Sequence, residues 1–544
     1  MGSTEQHGDV DVIHADVLVI GAGFTGVTAI HRLRKEGYSV KCFEQGAGFG
    51  GVWYWNRYPG ARVDSEWPFY QLDIPELVDT WTFSERYPGD EEIRRYFEHA
   101  DKVLDLSSDT YFNAEVIEAK RDEGTNLWTI KTKQGHVASG KYLLLGTGLL
   151  HRTYMPHFPG LEKYKGALCH SAEWLKDFNA KGKKIGLIGA GATAVQITEQ
   201  LGKVADELVV FVRRPSYCLP MRQRKLHEME QIQLKPYLPL LLKASRDSPS
   251  GFPATGLSGE RLAVPDEEAE AQLERAWILG GFHFNLGSYR DTFIKPEANE
   301  LHYQFWRKKI LERLTDPEKQ KIMAPEKQPY YIGTKRTPLE QDYYDVLNQP
   351  NVKVHDLIAA PLKEFTEKGI ITVDGKEYEF DAVILATGFD ALSGSLTKLG
   401  LKSKDGVDLK DIWANGISTY MGLAISGFPN AFMAYSPQAP NTHANATTIL
   451  QCQVEIIVDM IKKAEAEGFT SIEATPEGEA EWKAVIDETS KQTLFPLTDS
   501  WWNGSNIPGK KTEFTTFLPG CAIYERSCRD TLKDWKGWNV ARAK

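Results

Sequence analysis

Two glycine-rich turns, Gly21-Ala22-Gly23-Phe24-Thr25-Gly26 and Gly189-Ala190-Gly191-Ala192-Thr193-Ala194, constrain this chain more than any other feature. Each follows an apolar run, Val17-Leu18-Val19-Ile20 or Ile185-Gly186-Leu187-Ile188, and opens a stretch of helical periodicity. In that setting Gly21, Gly23 and Gly26, and likewise Gly189, Gly191 and Thr193, form tight strand-to-helix turns that bring backbone N–H groups and a helix N-terminus onto a pyrophosphate. Two dinucleotides are therefore expected in one chain, a bound flavin and a nicotinamide, with electrons passing between them.

The residue ending the second strand of each unit separates the two cofactors. Val40-Lys41-Cys42-Phe43 runs into Glu44, about twenty residues after the first glycine, where a carboxylate accepts hydrogen bonds from an adenosine ribose. Leu208-Val209-Val210-Phe211-Val212 runs instead into Arg213-Arg214. Guanidinium groups there suit a ribose 2′-phosphate, which points to NADPH; an exposed basic pair at a strand end is the plainer reading.

Two more apolar strands end in Thr-Gly, at Thr147-Gly148 and Thr387-Gly388, and are expected to close the sheets of the first and second units. The second unit then becomes an insertion in the first. Between about Gln223 and Tyr331 the strand pattern disappears, and Glu267 to Trp277 and Tyr303 to Leu314 read as helices. The expected fold is α/β: two Rossmann-like dinucleotide-binding domains, the second inserted in the first, with a helical insertion. Residues 1–153 and 389–544 would bind FAD, residues 154–222 and 332–388 NADPH, and residues 223–331 would form the helical excursion.

The 544 residues allow two or three domains with substantial cores. A net charge of −10 without a long basic run argues against nucleic acid and against a membrane surface. The six cysteines lack C-x-x-C pairs, so neither a redox dithiol nor a zinc ribbon is expected, and no metal. A reducing cytoplasm fits this usage. Residues 1–14 carry no apolar signal core, Gly2 lacks the hydroxyl residue myristoylation needs at Gln6, and Arg542-Ala543-Lys544 is no peroxisomal address. The apolar stretch from Thr447 to Lys463 is broken by Gln451, Gln453, Glu455 and Asp459, so it reads as a packed helix. A monomer is the default expectation.

Further motifs carry a family resemblance. Gly50-Gly51-Val52-Trp53, Tyr58-Pro59-Gly60 and Asp64 follow the first turn; Gly166, His170 and Trp174 lie at the domain join; Gly333-Thr334-Lys335-Arg336 and Ser500-Trp501-Trp502-Asn503 lie farther along. Together, in this order and over nearly the whole chain, they resemble the Baeyer-Villiger monooxygenases. At the join the family carries F-x-G-x-x-x-H-x-x-x-W followed by Pro or Asp; Tyr164 stands here for Phe and Leu175 for Pro or Asp, departures that bear on how domain movement is transmitted.

The resemblance implies that NADPH reduces FAD, and that a flavin C4a-peroxide inserts one atom of dioxygen next to the carbonyl of a ketone or aldehyde, giving an ester or lactone. It implies that Arg336 is the permanent cation the anionic steps require, with Asp64 holding its fork. Lys335 would join Arg214 on the 2′-phosphate. Trp501 would sit near the nicotinamide or substrate pocket, a core tryptophan being the other reading, and Trp53 and Tyr70 would line the flavin. His170 reads as a hydrogen-bonded hinge. The alternative activity is oxygenation of amine nitrogen or sulfide sulfur, in whose enzymes the linker motif usually ends in Phe or Tyr and the arginine motif is absent.

Overall fold

A computed structural model of the chain describes residues 12–253 and 259–542; residues 1–11 and 543–544, on which part of the targeting argument rests, lie outside the described residues. Two sheets organise them, the first mixed and the second parallel. In the first, Val12–Ile20 pairs with Val40–Phe43 on one side and Val137–Leu145 on the other, in a register that sets Val19 opposite both Cys42 and Leu144. Val137–Leu145 also pairs in parallel with Ala431–Met433 and antiparallel with Leu127–Thr132. The second sheet is wholly parallel, in the order Val352–Asp356, Glu207–Val212, Lys184–Ile188, Ala382–Leu385, Ala167–His170.

The central strands are continuous apolar runs because both faces are covered: Val17, Leu18, Val19, Leu208, Val209 and Val210 have no exposed surface. The strands that end in Thr-Gly lie beside the glycine-turn strands in mid-sheet, where the expectation had been that they close the sheets. The reason is topological. In each unit the chain leaves the glycine-turn strand by a helix to a neighbour on one side, and the Thr-Gly strand fills the other side, opening a crevice at the carboxyl ends where the order reverses.

The helix Phe24–Lys35 follows the first turn and packs against Ala446–Ala466, the long helix expected around residues 447–463. Arg32 on the first pairs with Glu455 on the second at 2.8 Å. No helix among the described residues is long and apolar enough to cross a membrane. The described residues between 223 and 331 contain helices and no strand. The helix read at Glu267 to Trp277 spans Asp266–Leu279; that read at Tyr303 to Leu314 spans Pro296–Leu311, starting earlier because Pro296 takes a first-turn position, where its missing N–H costs nothing. All six cysteines are buried and unpaired.

The first turn leaves no room for side chains. A Cβ on Gly26 would lie 2.1 Å from the Gly21 carbonyl oxygen, a backbone atom that cannot step aside. Gly26→Ala is expected to cost about 1–3 kcal/mol, the scale of overpacking, read as a lower apparent melting temperature in a thermal-shift assay together with loss of bound flavin.

Candidate active site

Both turns fit a dinucleotide. Gly21 has φ +101°, and a Cβ on it would lie 2.5 Å from the Gly146 carbonyl oxygen, so the turn closes tightly against the neighbouring Thr-Gly segment. The helix beginning at Phe24 has Gly23 before it and no side-chain cap, leaving its first amides to an anion. The second turn repeats this: Gly189 has φ +136° and would place a Cβ 2.3 Å from the Ala386 carbonyl oxygen, and the helix Ala192–Leu201 starts after Gly191 with no side-chain cap. Cβ atoms on Gly148, Gly191 or Gly388 would meet nothing within 4 Å, so the backbone there is open to close approach by a ligand.

Glu44 has a second task beside the one its position suggests. Its Oε2 accepts the Ala22 N–H at 2.8 Å and its Oε1 the Gly46 N–H at 2.7 Å, so the carboxylate braces the glycine turn and keeps further lone pairs for a ribose. Burial pushes its pKa up, against the pull of these amides.

At the end of the second sheet, Arg213 is exposed and Arg214 half-buried. Lys335 lies beside them with its ammonium 4.3 Å from the Tyr330 ring centroid. Burial, reinforced by Arg214 and then Arg213, pulls the Lys335 ammonium down to about 8. Three cations thus converge where the coenzyme's phosphate is expected.

Arg336, next in sequence, faces the first unit. Its Nε donates to Asp64 Oδ2 at 2.6 Å and its Nη2 to Oδ1 at 2.8 Å, a bidentate pair, while Nη1 donates to the carbonyls of Thr442 at 3.0 Å and Ala444 at 3.2 Å. The Phe282 ring lies 5.1 Å from its Cζ. Burial would neutralise both partners, yet each holds the other charged: Arg336 keeps the Asp64 carboxyl below its usual range, and Asp64 raises the guanidinium. Trp53 and Tyr70 are buried nearby and joined, the indole N–H donating to the Tyr70 hydroxyl at 2.8 Å.

The motif residues that do not reach Arg336 tie the two units together. Tyr58 donates to Gln196 Oε1 at 2.8 Å and accepts from the Thr193 hydroxyl at 3.4 Å, and Gly60 lies so close to the same helix that a Cβ would stand 2.9 Å from the Gln196 carbonyl oxygen. His170 bonds at Nδ1 with the Ala172 N–H at 3.2 Å and at Nε2 with the Gly388 carbonyl at 3.1 Å. This is the pattern of a neutral ring, and burial lowers its pKa. The Gly388 carbonyl also accepts the Tyr154 N–H at 2.9 Å, so the outgoing and returning linkers meet at one oxygen. The hydroxyl that distinguishes Tyr164 from Phe is satisfied at 2.9 Å by the Phe380 carbonyl, and Gly166 makes room for that ring. Trp174 packs edge-on against Phe178.

Trp501 is partly exposed and Trp502 fully buried, so of this pair Trp502 is the core residue. Ser500 caps the Trp501–Asn503 turn, and Trp501 lines a cavity of about 230 Å³ with Trp413, Ile507, Asp390 and Lys510. Residues that sequence reasoning missed complete the surroundings of Arg336. Tyr435 interacts electrostatically with Arg336 and Asp64, and His443 donates from Nε2 to the Gly333 carbonyl at 2.7 Å. Burial, with Arg336, lowers His443 to about 4, and its Nδ1 is buried without a partner among the described residues. Neither residue carries a signal in the sequence, because only the fold brings residues 435–443 to residue 336.

Comparison with known proteins agrees with this geometry. The sequence model of the pyridine nucleotide-disulphide oxidoreductase family matches residues 15–236; the buried, unpaired cysteines show that the likeness lies in the nucleotide scaffold. The chain is 39% identical over 98% of its length to the FAD-binding monooxygenase acrE of Aspergillus aculeatus, covering 90% of that protein. It is 36% identical over 99% of its length to cyclopentanone 1,2-monooxygenase of Comamonas sp., covering 98%. It superposes with TM-score 0.94 and 33% identity on the crystal structure of cyclohexanone monooxygenase from Rhodococcus sp. Phi1 bound to NADP+, with 98% of this chain and 100% of that one covered.

The state of Lys335 gives a pH prediction. With its pKa near 8 in the free protein, Lys335 is charged below that pH and attracts a phosphate; above it the neutral form dominates and the attraction is lost. The KM for NADPH is expected to be flat up to about pH 8 and to rise above it, whereas Lys335→Arg should stay flat to about pH 10 because a guanidinium does not titrate there. Steady-state kinetics across pH would check this.

Proposed function

The chain belongs to the Baeyer-Villiger monooxygenase family of flavoproteins, and from that membership we propose that Arg336, held by Asp64, is the catalytic cation that lets it insert oxygen beside a ketone carbonyl. As a member it is an FAD- and NADPH-dependent monooxygenase. The balanced reaction takes a ketone, dioxygen, NADPH and a proton to an ester or lactone, water and NADP+. When bound, the flavin supplies oxygen activation and NADPH the hydride.

The remaining work falls to the protein. Gly21, Gly23, Gly26 and Glu44 hold FAD with Trp53 and Tyr70 beside it; Gly189, Gly191 and Thr193 hold the NADPH pyrophosphate, and Arg213, Arg214 and Lys335 its 2′-phosphate. Residues 1–153 and 389–544 form the FAD domain, residues 154–222 and 332–388 the NADPH domain, and residues 223–331 the helical insertion. Trp501 closes the coenzyme side, and Gly166, His170 and Trp174 serve the domain linker.

The observation that carries the reading is the bidentate Arg336–Asp64 pair, because it fixes a permanent positive charge where a loop of the first unit meets the second. Negative charge develops on the oxygens in oxygen insertion, and a fixed cation in a dry site stabilises it without reorganising. Asp64 anchors the planar fork and is itself held ionised, so the pair keeps its charge pattern over the whole working pH range. A small-molecule ketone is the substrate class, as the names of the cyclopentanone and acetone monooxygenases among its relatives support.

Arg336→Ala is expected to lower ester formation from a cyclic ketone by at least about 10²-fold, the scale of losing one oxyanion donor, while oxidised protein still binds FAD and NADP+. Arg336→Lys keeps a charge but cannot make both bonds to Asp64, and should fall between. Product analysis by gas chromatography checks both. Undiminished ester formation in Arg336→Ala would refute the assignment, and N- or S-oxides as the sole products of mixed substrates would establish the heteroatom activity instead.

A further inference from the structure

Arg214 already has an anion. Its Nη1 lies 2.9 Å from Asp499 Oδ2, and this is the one ion pair of Asp499 among the described residues. The carboxylate also acts on Lys335, so it sits among the three cations expected to receive a phosphate. Its side chain is 64% exposed and free to swing out, whereas its neighbours are fixed. Thr498 Oγ1 bonds with buried Thr334 Oγ1 at 2.6 Å, one residue before Lys335, and Ser500 caps the Trp501–Asn503 turn. The backbone therefore delivers Asp499 to Arg214, while among the described residues only Arg214 holds the carboxylate itself.

A guanidinium cannot give its full fork to a phosphate while it binds a carboxylate in the same direction, and a carboxylate close to a dianionic phosphate is repelled. The geometry points to Asp499 as an intramolecular stand-in for the coenzyme's 2′-phosphate, one that holds Arg214 in place until the phosphate displaces it and so sets the affinity for NADPH relative to NADH. This rests on the reading of Arg214 as a 2′-phosphate ligand. The pair occupies Arg214 Nη1 in the free protein, and a 2′-phosphate that takes this nitrogen into a two-pronged contact must break it. A coenzyme without that phosphate leaves the pair intact.

Asp499→Asn removes the charge at an exposed position and nearly preserves shape. Oxidised holoenzyme is titrated at pH 7, where Lys335 is still charged, with NADP+ and with NAD+, following flavin absorbance or heat. Asp499→Asn should bind NADP+ about two- to fivefold more tightly, the scale of a partly exposed ion pair, with NAD+ affinity unchanged. In an Arg214→Ala background the same substitution should no longer tighten NADP+. Unchanged or weaker NADP+ binding in Asp499→Asn overturns the proposal, as does equal tightening of NADP+ with and without Arg214, which would show a diffuse charge effect. Arg214→Ala alone separates the two levels: if it weakens NADP+ selectively, the phosphate reading stands whatever Asp499 does, and if NADP+ affinity is unchanged, that reading fails and the stand-in with it.

Discussion

The arrangement depends on a half-buried ion pair between two separately built units. Asp64 comes from a loop of the first unit and Arg336 from the second, 272 residues later, and taking either ion partly out of water without the other would carry a desolvation cost. Bound through both nitrogens of the fork, with the carbonyls of Thr442 and Ala444 taking a third, the guanidinium has a fixed plane and a fixed place. The glycine turns, the crevices they open and the Tyr58–Gln196 contact all bear on where that charge sits relative to the two nucleotides.

This makes the docking of the units part of the chemistry. A shift of the second sheet against the first would move Arg336 relative to Asp64, and the structure opposes it at two places. Tyr58 and Gly60 dock on the helix that follows the second turn, and the Gly388 carbonyl gathers His170 and the outgoing linker. His170, neutral and bonded on both ring nitrogens, is suited to keeping a distance constant and poorly suited to moving a proton.

Much of the scaffold was legible because it rests on local rules. A strand, a glycine turn and a helix have to be contiguous, so Gly21 to Gly26 and Gly189 to Gly191 could be read directly, as could the contrast between Glu44 and Arg213-Arg214. Where evidence lay in pairing, sequence reasoning reached less far: the Thr-Gly strands were placed as sheet closers and lie in mid-sheet, since an apolar run does not say which neighbour it pairs with. Asp64 and Arg336 were found through motifs, and their contact is tertiary. Tyr435, His443 and Asp499 left no trace, because each acquires meaning only from a partner about a hundred residues away or farther. The brace that Glu44 gives Ala22 was likewise hidden behind its better-known position.

The burial of every cysteine has a consequence for endurance. An enzyme that handles dioxygen at a reduced cofactor leaks some hydrogen peroxide, and thiolates are what peroxide attacks first. Cys42 lies directly beneath the first glycine turn, its sulfur 3.6 Å from the Gly21 carbonyl oxygen, and burial raises the pKa of its thiol as it does that of Cys169 and Cys218. Peroxide thus meets neither an accessible cysteine nor appreciable thiolate while the fold is closed, and the sulfurs within its reach are thioethers such as Met155 and Met229, so oxidation of the thiols has to wait for the core to open.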